Sequence, residues 1–195
     1  MSTLYKKTKL NDDAQVMLDG YKGHEDVPEN VTHIRFHPSA VKVEMNGFSN
    51  CNDLIEVVLN DGLREIGNSA FRDCKALQEI TVPFTVTQIS TYAFHDCSNL
   101  REVVLNDGVR EIGNYAFNKC HSLRSINIPS TVTEIGKGAF SYCTNLREVV
   151  LNEGLQKIDN SAFYLLSSCL FFTKNEHIMY LSSNYLSSVL DTLYR

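Results

Sequence analysis

One spacing, 23 residues, constrains what this chain can fold into more than any other feature. Phe48, Phe71, Phe94, Phe117, Phe140 and Phe163 are separated by that step. Cys51, Cys74, Cys97, Cys120 and Cys143 follow three residues later, and Leu54, Leu77, Leu100, Leu123 and Leu146 three after that. A fixed period in this range is the mark of stacked repeats, since one short unit cannot bury its own apolar face. Neighbouring coils must supply the other wall, so like residues stack above like in one continuous core.

From its phenylalanine, each unit reads F-x2-C-x2-L-x2-[VI]-x-[LVI], a turn, then [LV]-x2-I-x3-A; residues 94–116 are a clear specimen. The spacing of three in F-x2-C-x2-L predicts a turn of 3₁₀ or short α-helix with its apolar edge inward. Val103-Val104-Leu105 has the period-two alternation of a short strand, with 103 and 105 facing in. Ile66, Ile89, Ile112, Ile135 and Ile158 predict a second inward ladder from another extended piece. Ala70, Ala93, Ala116, Ala139 and Ala162 precede each phenylalanine, where a small side chain fits under a ring.

The pattern AFxxCxxLxxVxL, with the linker IPSTVTEIGKGAF at 128–140, resembles the BspA-like leucine-rich repeats. That family is a 23-residue variety found in bacterial surface proteins and in single-celled eukaryotes, and the strong resemblance covers residues 48–163. It implies an α/β repeat solenoid: a right-handed leucine-rich-repeat coil with a parallel β-sheet on one face and short helical turns on the other. It also implies use in binding rather than catalysis, and it defines the fold far better than the partner.

Three segments are expected. Residues 1–47 form an N-terminal cap with a degenerate first repeat, in which Val31, Ile34, Phe36 and Val43 take the Leu, Val, Leu and Ile positions. Val16 to Tyr21 adds a strand before it. Residues 48–162 hold five repeats, and 163–195 form a degenerate C-terminal repeat and cap. There Phe163, Leu166, Cys169, Phe172, Ile178 and Leu181 are placed on the Phe, Cys, Leu, Val, Leu and Ile positions, and 186–195 on a short helix. A longer period of 46 alternates an Asn-Asp/Glu-Gly turn (60–62, 106–108, 152–154) with a Pro-x-Thr turn (83–85, 129–131). Gly62, Gly108 and Gly154 are expected to supply positive φ, while Pro83 and Pro129 pre-set φ near −65°.

No catalytic constellation stands out. The cysteines lie on an inward position with no CxxC and no Cys/His ligand spacing, so they read as buried, reduced thiols and not as metal ligands. The six histidines are scattered; His33 and His37 lie too far apart along an extended chain for easy shared ligation. No nucleophile elbow or phosphate loop occurs, so no enzyme and no cofactor are expected. A formal net charge of −5 argues against nucleic acid, which would want a basic stripe. No run of 18 apolar residues occurs, so no spanning helix is expected. Residues 1–11 lack the apolar core of a signal peptide. With unpaired cysteines this points to a cytoplasmic or nuclear address, an extracellular surface being the alternative.

The candidate site is the outward side of the strands. One column is Val58, Thr81, Val104, Asn127 and Val150. Beside it run Glu56, Glu79, Glu102, Ser125 and Glu148, and beyond them Ile55, Gln78, Arg101, Arg124 and Arg147. An exposed apolar ladder can mark a partner site, although valine and threonine are also simply good strand formers. Val58, Thr81, Val104, Asn127 and Val150, with Arg101, Arg124, Arg147, Glu102 and Glu148, are the expected contacts of a protein partner. The function expected is a non-catalytic binding module or scaffold. A surface adhesin and a structural subunit of a larger assembly remain open beside it.

Overall fold

The computed structural model describes residues 8–10, 15–18, 27, 30–159, 161–166, 169–173 and 178–180. Among them, each coil contributes two short extended pieces. The first ladder is β3 (His33–Phe36), β5 (Glu56–Val58), β7 (Glu79–Val82), β9 (Glu102–Leu105), β11 (Ser125–Ile128), β13 (Glu148–Leu151) and β15 (Leu170–Thr173). The second is β4 (Lys42–Val43), β6 (Glu65–Ile66), β8 (Gln88–Ile89), β10 (Glu111–Ile112), β12 (Glu134–Ile135) and β14 (Lys157–Ile158), all parallel in one six-stranded sheet. The register steps by one repeat: Ile80 pairs with Val103, Ile126 with Val149, and Ile112 with Ile135. The result is a parallel β-solenoid of about six turns.

Stacking like on like produces the core. The rings of Phe48, Phe71, Phe94, Phe117, Phe140 and Phe163 lie nearly parallel, with successive centroids 5.1–5.3 Å apart. Phe36 closes one end of this pile edge-on and Phe171 the other. All eight rings are buried. Each buried phenylalanine contributes about 1.5–3 kcal/mol through removal from water. The alanines before the rings are fully buried too.

The turns around each phenylalanine are not helical. Among the described residues there is no helix, which corrects the expectation of short helical turns. The reason is visible in the backbone. Asn50, Asp73, Asp96, Lys119, Tyr142 and Leu165, two residues after each phenylalanine, have φ of 54–65°. Right-handed helix cannot pass through such a residue. Alternate N–H groups instead donate to the following coil, as Ser69, Phe71 and Asp73 do to the carbonyls of Thr91, Ala93 and His95 at 2.7–2.9 Å. The intervening Ala70, Arg72 and Cys74 close tight turns onto Gly67, Ser69 and Phe71. A helix would satisfy these donors within one coil; here half of them tie coils together.

The Asn-x-Gly turns correct a second expectation. Among Gly62, Gly108 and Gly154, positive φ occurs at Gly154 alone. What the position requires is close approach: a Cβ on Gly108 would lie 1.8 Å from the Phe84 carbonyl oxygen, and one on Gly154 2.1 Å from that of Ser130. The asparagine starting each turn explains the proximity. The side-chain amide of Asn106 donates to the Val82 carbonyl at 3.1 Å, and that of Asn152 to Ile128 at 2.8 Å, drawing the turn down onto the coil before it.

At the N-terminal side, Val31, Ile34, Phe36 and Val43 are buried, with Ile34 opposite Val57 and Val43 opposite Ile66. Strand β2 (Gln15–Leu18) runs parallel to β3, and β1 (Thr8–Leu10) antiparallel to β2. At the other side the register slips. Val149 pairs with Phe171 and Val150 with Phe172, so Phe171 and not Phe172 faces inward. One residue fewer than the period separates Phe163 from this strand, and a one-residue shift exchanges the two faces. Strand β16 (Ile178–Tyr180) then pairs antiparallel to β15 and is no further coil, contrary to the placing of Ile178 on a repeat position. The expected helix at 186–195 lies outside the described residues.

Candidate functional site

Period-two alternation in the first ladder puts one column of side chains outward between two buried rows. Thr81, Val104 and Asn127 are exposed, and Val58 and Val150 are half-buried, while Ile80, Val103, Ile126 and Val149 are in the core. Pairing brings the five candidates into one file: Thr81 opposite Val104, and Asn127 opposite Val150. Two residues extend the file that sequence reasoning left out. Arg35 stands opposite Val58, and Phe172 opposite Val150. Shifting the 23-residue frame back one step from Val58 finds Arg35; Phe172 was hidden by the register slip. Val104 is the most open apolar member, 38% exposed. Asn127 is partly engaged, its side-chain oxygen accepting from the Asn152 amide at 2.9 Å.

The acidic column lies alongside. Glu79, Glu102 and Glu148 are exposed, and Glu56 faces His33 at 3.8 Å. The column is interrupted at Ser125, opposite Glu148. The outermost column carries Arg101, Arg124 and Arg147, all exposed, on backbone that is itself laddered. The Arg101 N–H donates to Gln78, and that of Arg147 to Arg124, both at 2.8 Å. Arg147 turns one guanidinium nitrogen to the Thr144 carbonyl at 2.9 Å. Neither Arg101 nor Arg124 meets an acid within ion-pairing range among the described residues. Together with Asn99, Ser122 and Asn145 these arginines line an open groove of about 660 Å³.

Charges on the second ladder are paired in part. Lys42 pairs with Glu65 at 3.2 Å, Lys157 with Glu134 at 2.5 Å, and Gln88 donates to Glu111 at 3.0 Å. Two lysines of these strands thus meet glutamates of neighbouring coils, while the exposed Arg64 and Arg110 just before β6 and β10 meet no acid within ion-pairing range among the described residues.

Reactive groups elsewhere are occupied structurally. All six cysteines are free and buried. The thiols of Cys74, Cys97, Cys120 and Cys143 donate to the carbonyls of Phe48, Phe71, Phe94 and Phe117 at 3.1–3.3 Å. Burial pushes Cys51 up to about 11 and Cys143 to about 12, so these sulfurs stay protonated and poor as nucleophiles or ligands. His95 is held below the ordinary histidine value, chiefly by burial and then by Arg72. His37 Nδ1 lies 2.7 Å from Ser39 Oγ within one local turn. Among the described residues no group of three His, Cys, Asp or Glu side chains could hold a metal ion. Among the described residues no helix is long and apolar enough to cross a membrane.

Comparison with known proteins agrees with this architecture. The family described as BspA type leucine rich repeat region matches residues 28–114 and 64–190, in six copies. No curated protein is significantly similar in sequence. Among solved structures, a leucine-rich repeat protein from Bacteroides ovatus is 24% identical with a TM-score of 0.62, covering 82% of this chain and 37% of its own. The T. pallidum leucine rich repeat protein is 25% identical with a TM-score of 0.62, covering 87% and 82%. A leucine rich cell surface protein from Faecalibacterium prausnitzii is 25% identical with a TM-score of 0.56, covering 94% and 60%. The chain thus spans little more than a third of the Bacteroides protein's length.

Proposed function

The chain belongs to the BspA-type leucine-rich-repeat family, and we propose that it is a non-catalytic protein-binding module or scaffold acting through the face of its first strand ladder. The observation that carries this reading is the file of outward side chains from Val58 to Val150, apolar or uncharged and held at one-coil spacing by the ladder beneath. Such a file needs no ordering when a partner arrives, which removes part of the entropic cost of association. Several coils contact one partner together, and the arginine and glutamate columns border the contact.

A surface adhesin is the second reading, favoured by the likeness to the Faecalibacterium cell surface protein. It places the same face outside the cell, and the likenesses lend no support to a cytoplasmic or nuclear address. Capture from extract and from intact cell surfaces with wild type beside a Val104→Asp/Val150→Asp variant tests the face. A partner held by wild type and lost by the folded variant is the expected result. Equal retention by both would move the contact to the turns or the ends of the stack.

A further inference from the structure

We propose that the groove lined by Arg101, Arg124 and Arg147 seats a short acidic polypeptide segment of the partner, with glutamate or aspartate carboxylates on the three guanidinium groups. This deepens, and rests on, the sheet-face reading above. The arginine column is confined to three successive coils; the equivalent positions earlier are Ile55 and Gln78. At its middle the flanking acidic column is interrupted, Ser125 standing beside Arg124 where Glu102 and Glu148 stand on either side. The groove is therefore lined by three arginines against one glutamate, with Asn99, Ser122 and Asn145 also on its walls, the Asn145 amide donating to the His121 carbonyl at 2.7 Å. Arg101 and Arg124 have no anionic partner among the described residues, and Arg147 adds a third guanidinium to the same groove. Guanidinium groups bind carboxylates through two parallel hydrogen bonds.

Charge and spacing select the ligand. The chain as a whole carries −5, so a long polyanion meets a molecule of net like charge outside the groove. Nucleic acid needs a broad basic stripe, and none lies among the described residues. Screening over about 8 Å confines what a short anionic segment senses to the groove and its border. Across the strands the arginines repeat at about 4.8 Å and span about 10 Å, while an extended peptide presents same-side residues every 6.7 Å or so. Two or three alternate carboxylates thus fill the groove, and the long arginine side chains absorb the difference in pitch.

The test uses a fluorescein-labelled nonapeptide alternating glutamate and threonine, its glutamine-threonine counterpart, and heparin, titrated by anisotropy against the full chain and Arg124→Gln. The proposal expects the glutamate peptide to bind, Arg124→Gln to weaken it about tenfold, and added salt to do likewise. Equal binding of the glutamine peptide, no binding of either peptide, or heparin binding more tightly than the glutamate peptide would overturn it. Unchanged circular dichroism and urea midpoint show that Arg124→Gln leaves the fold intact. A partner retained by an Arg101→Gln/Arg124→Gln/Arg147→Gln variant but lost by Val104→Asp/Val150→Asp would overturn the acidic segment and leave the sheet-face reading standing.

Discussion

At the scale of single residues, the cysteine file shows how a reactive side chain becomes structural. All its sulfurs sit in the core, and the thiol hydrogens of Cys74, Cys97, Cys120 and Cys143 each have a carbonyl to meet. The consequence for pH has a definite sign. An ordinary thiol titrates at 9.0, whereas burial holds Cys51 near 11 and Cys143 and Cys169 near 12. The unfolded chain therefore loses these protons first. Stability is full below pH 9 and is lost as pH rises through 11 and 12, at about 1.4 kcal/mol per pH unit for each thiol. The urea midpoint near pH 10 should fall well below that near pH 7, and native protein at neutral pH should resist thiol labelling. A midpoint that stays level would contradict the burial of the file.

The turns carry the lesson at the scale of elements. The inward ladders of Phe, Cys, Leu and Ile were legible because a 23-residue period states which positions share an environment. A spacing of three suits either a helical turn or a run of tight turns, and the deciding quantity is the sign of φ two residues after each ring. Asn50, Asp73 and Asp96 hint at a left-handed residue, since Asn and Asp tolerate it. Lys119, Tyr142 and Leu165 give no hint. Leu170-Phe171-Phe172 was ambiguous for a related reason, because adjacent phenylalanines satisfy either register and pairing with β13 decides. The Asn-x-Gly turns make a testable case of close approach. Gly108→Ala places a methyl carbon inside the contact distance of the Phe84 carbonyl oxygen, and should cost about 1–3 kcal/mol, as overpacking does elsewhere. Differential scanning calorimetry of that variant should show a lower transition; an unchanged one would mean the turn moves aside freely.

For the whole molecule, stability and recognition share one origin. Repeats contact only their neighbours, so cohesion passes from coil to coil through the ring pile, the turn ladder and two sets of strands. The same stacking lines up outward residues into files. The columns of the candidate site were readable from alternation alone, since a strand shows every second residue. Their use in binding was not, because duplication copies a contact residue and a bystander alike. What distinguishes the arginine file is its setting, three coils long beside a gap in the acids. The measurement that reaches the centre of this account is the urea unfolding curve of Phe94→Ala beside wild type. Phe94 lies within the pile, 5.3 Å from Phe71 and 5.1 Å from Phe117. If the rings bind coil to coil, truncation should lower stability by about 3–5 kcal/mol. An unchanged curve would contradict the stacked core on which both the fold and the proposed binding face depend.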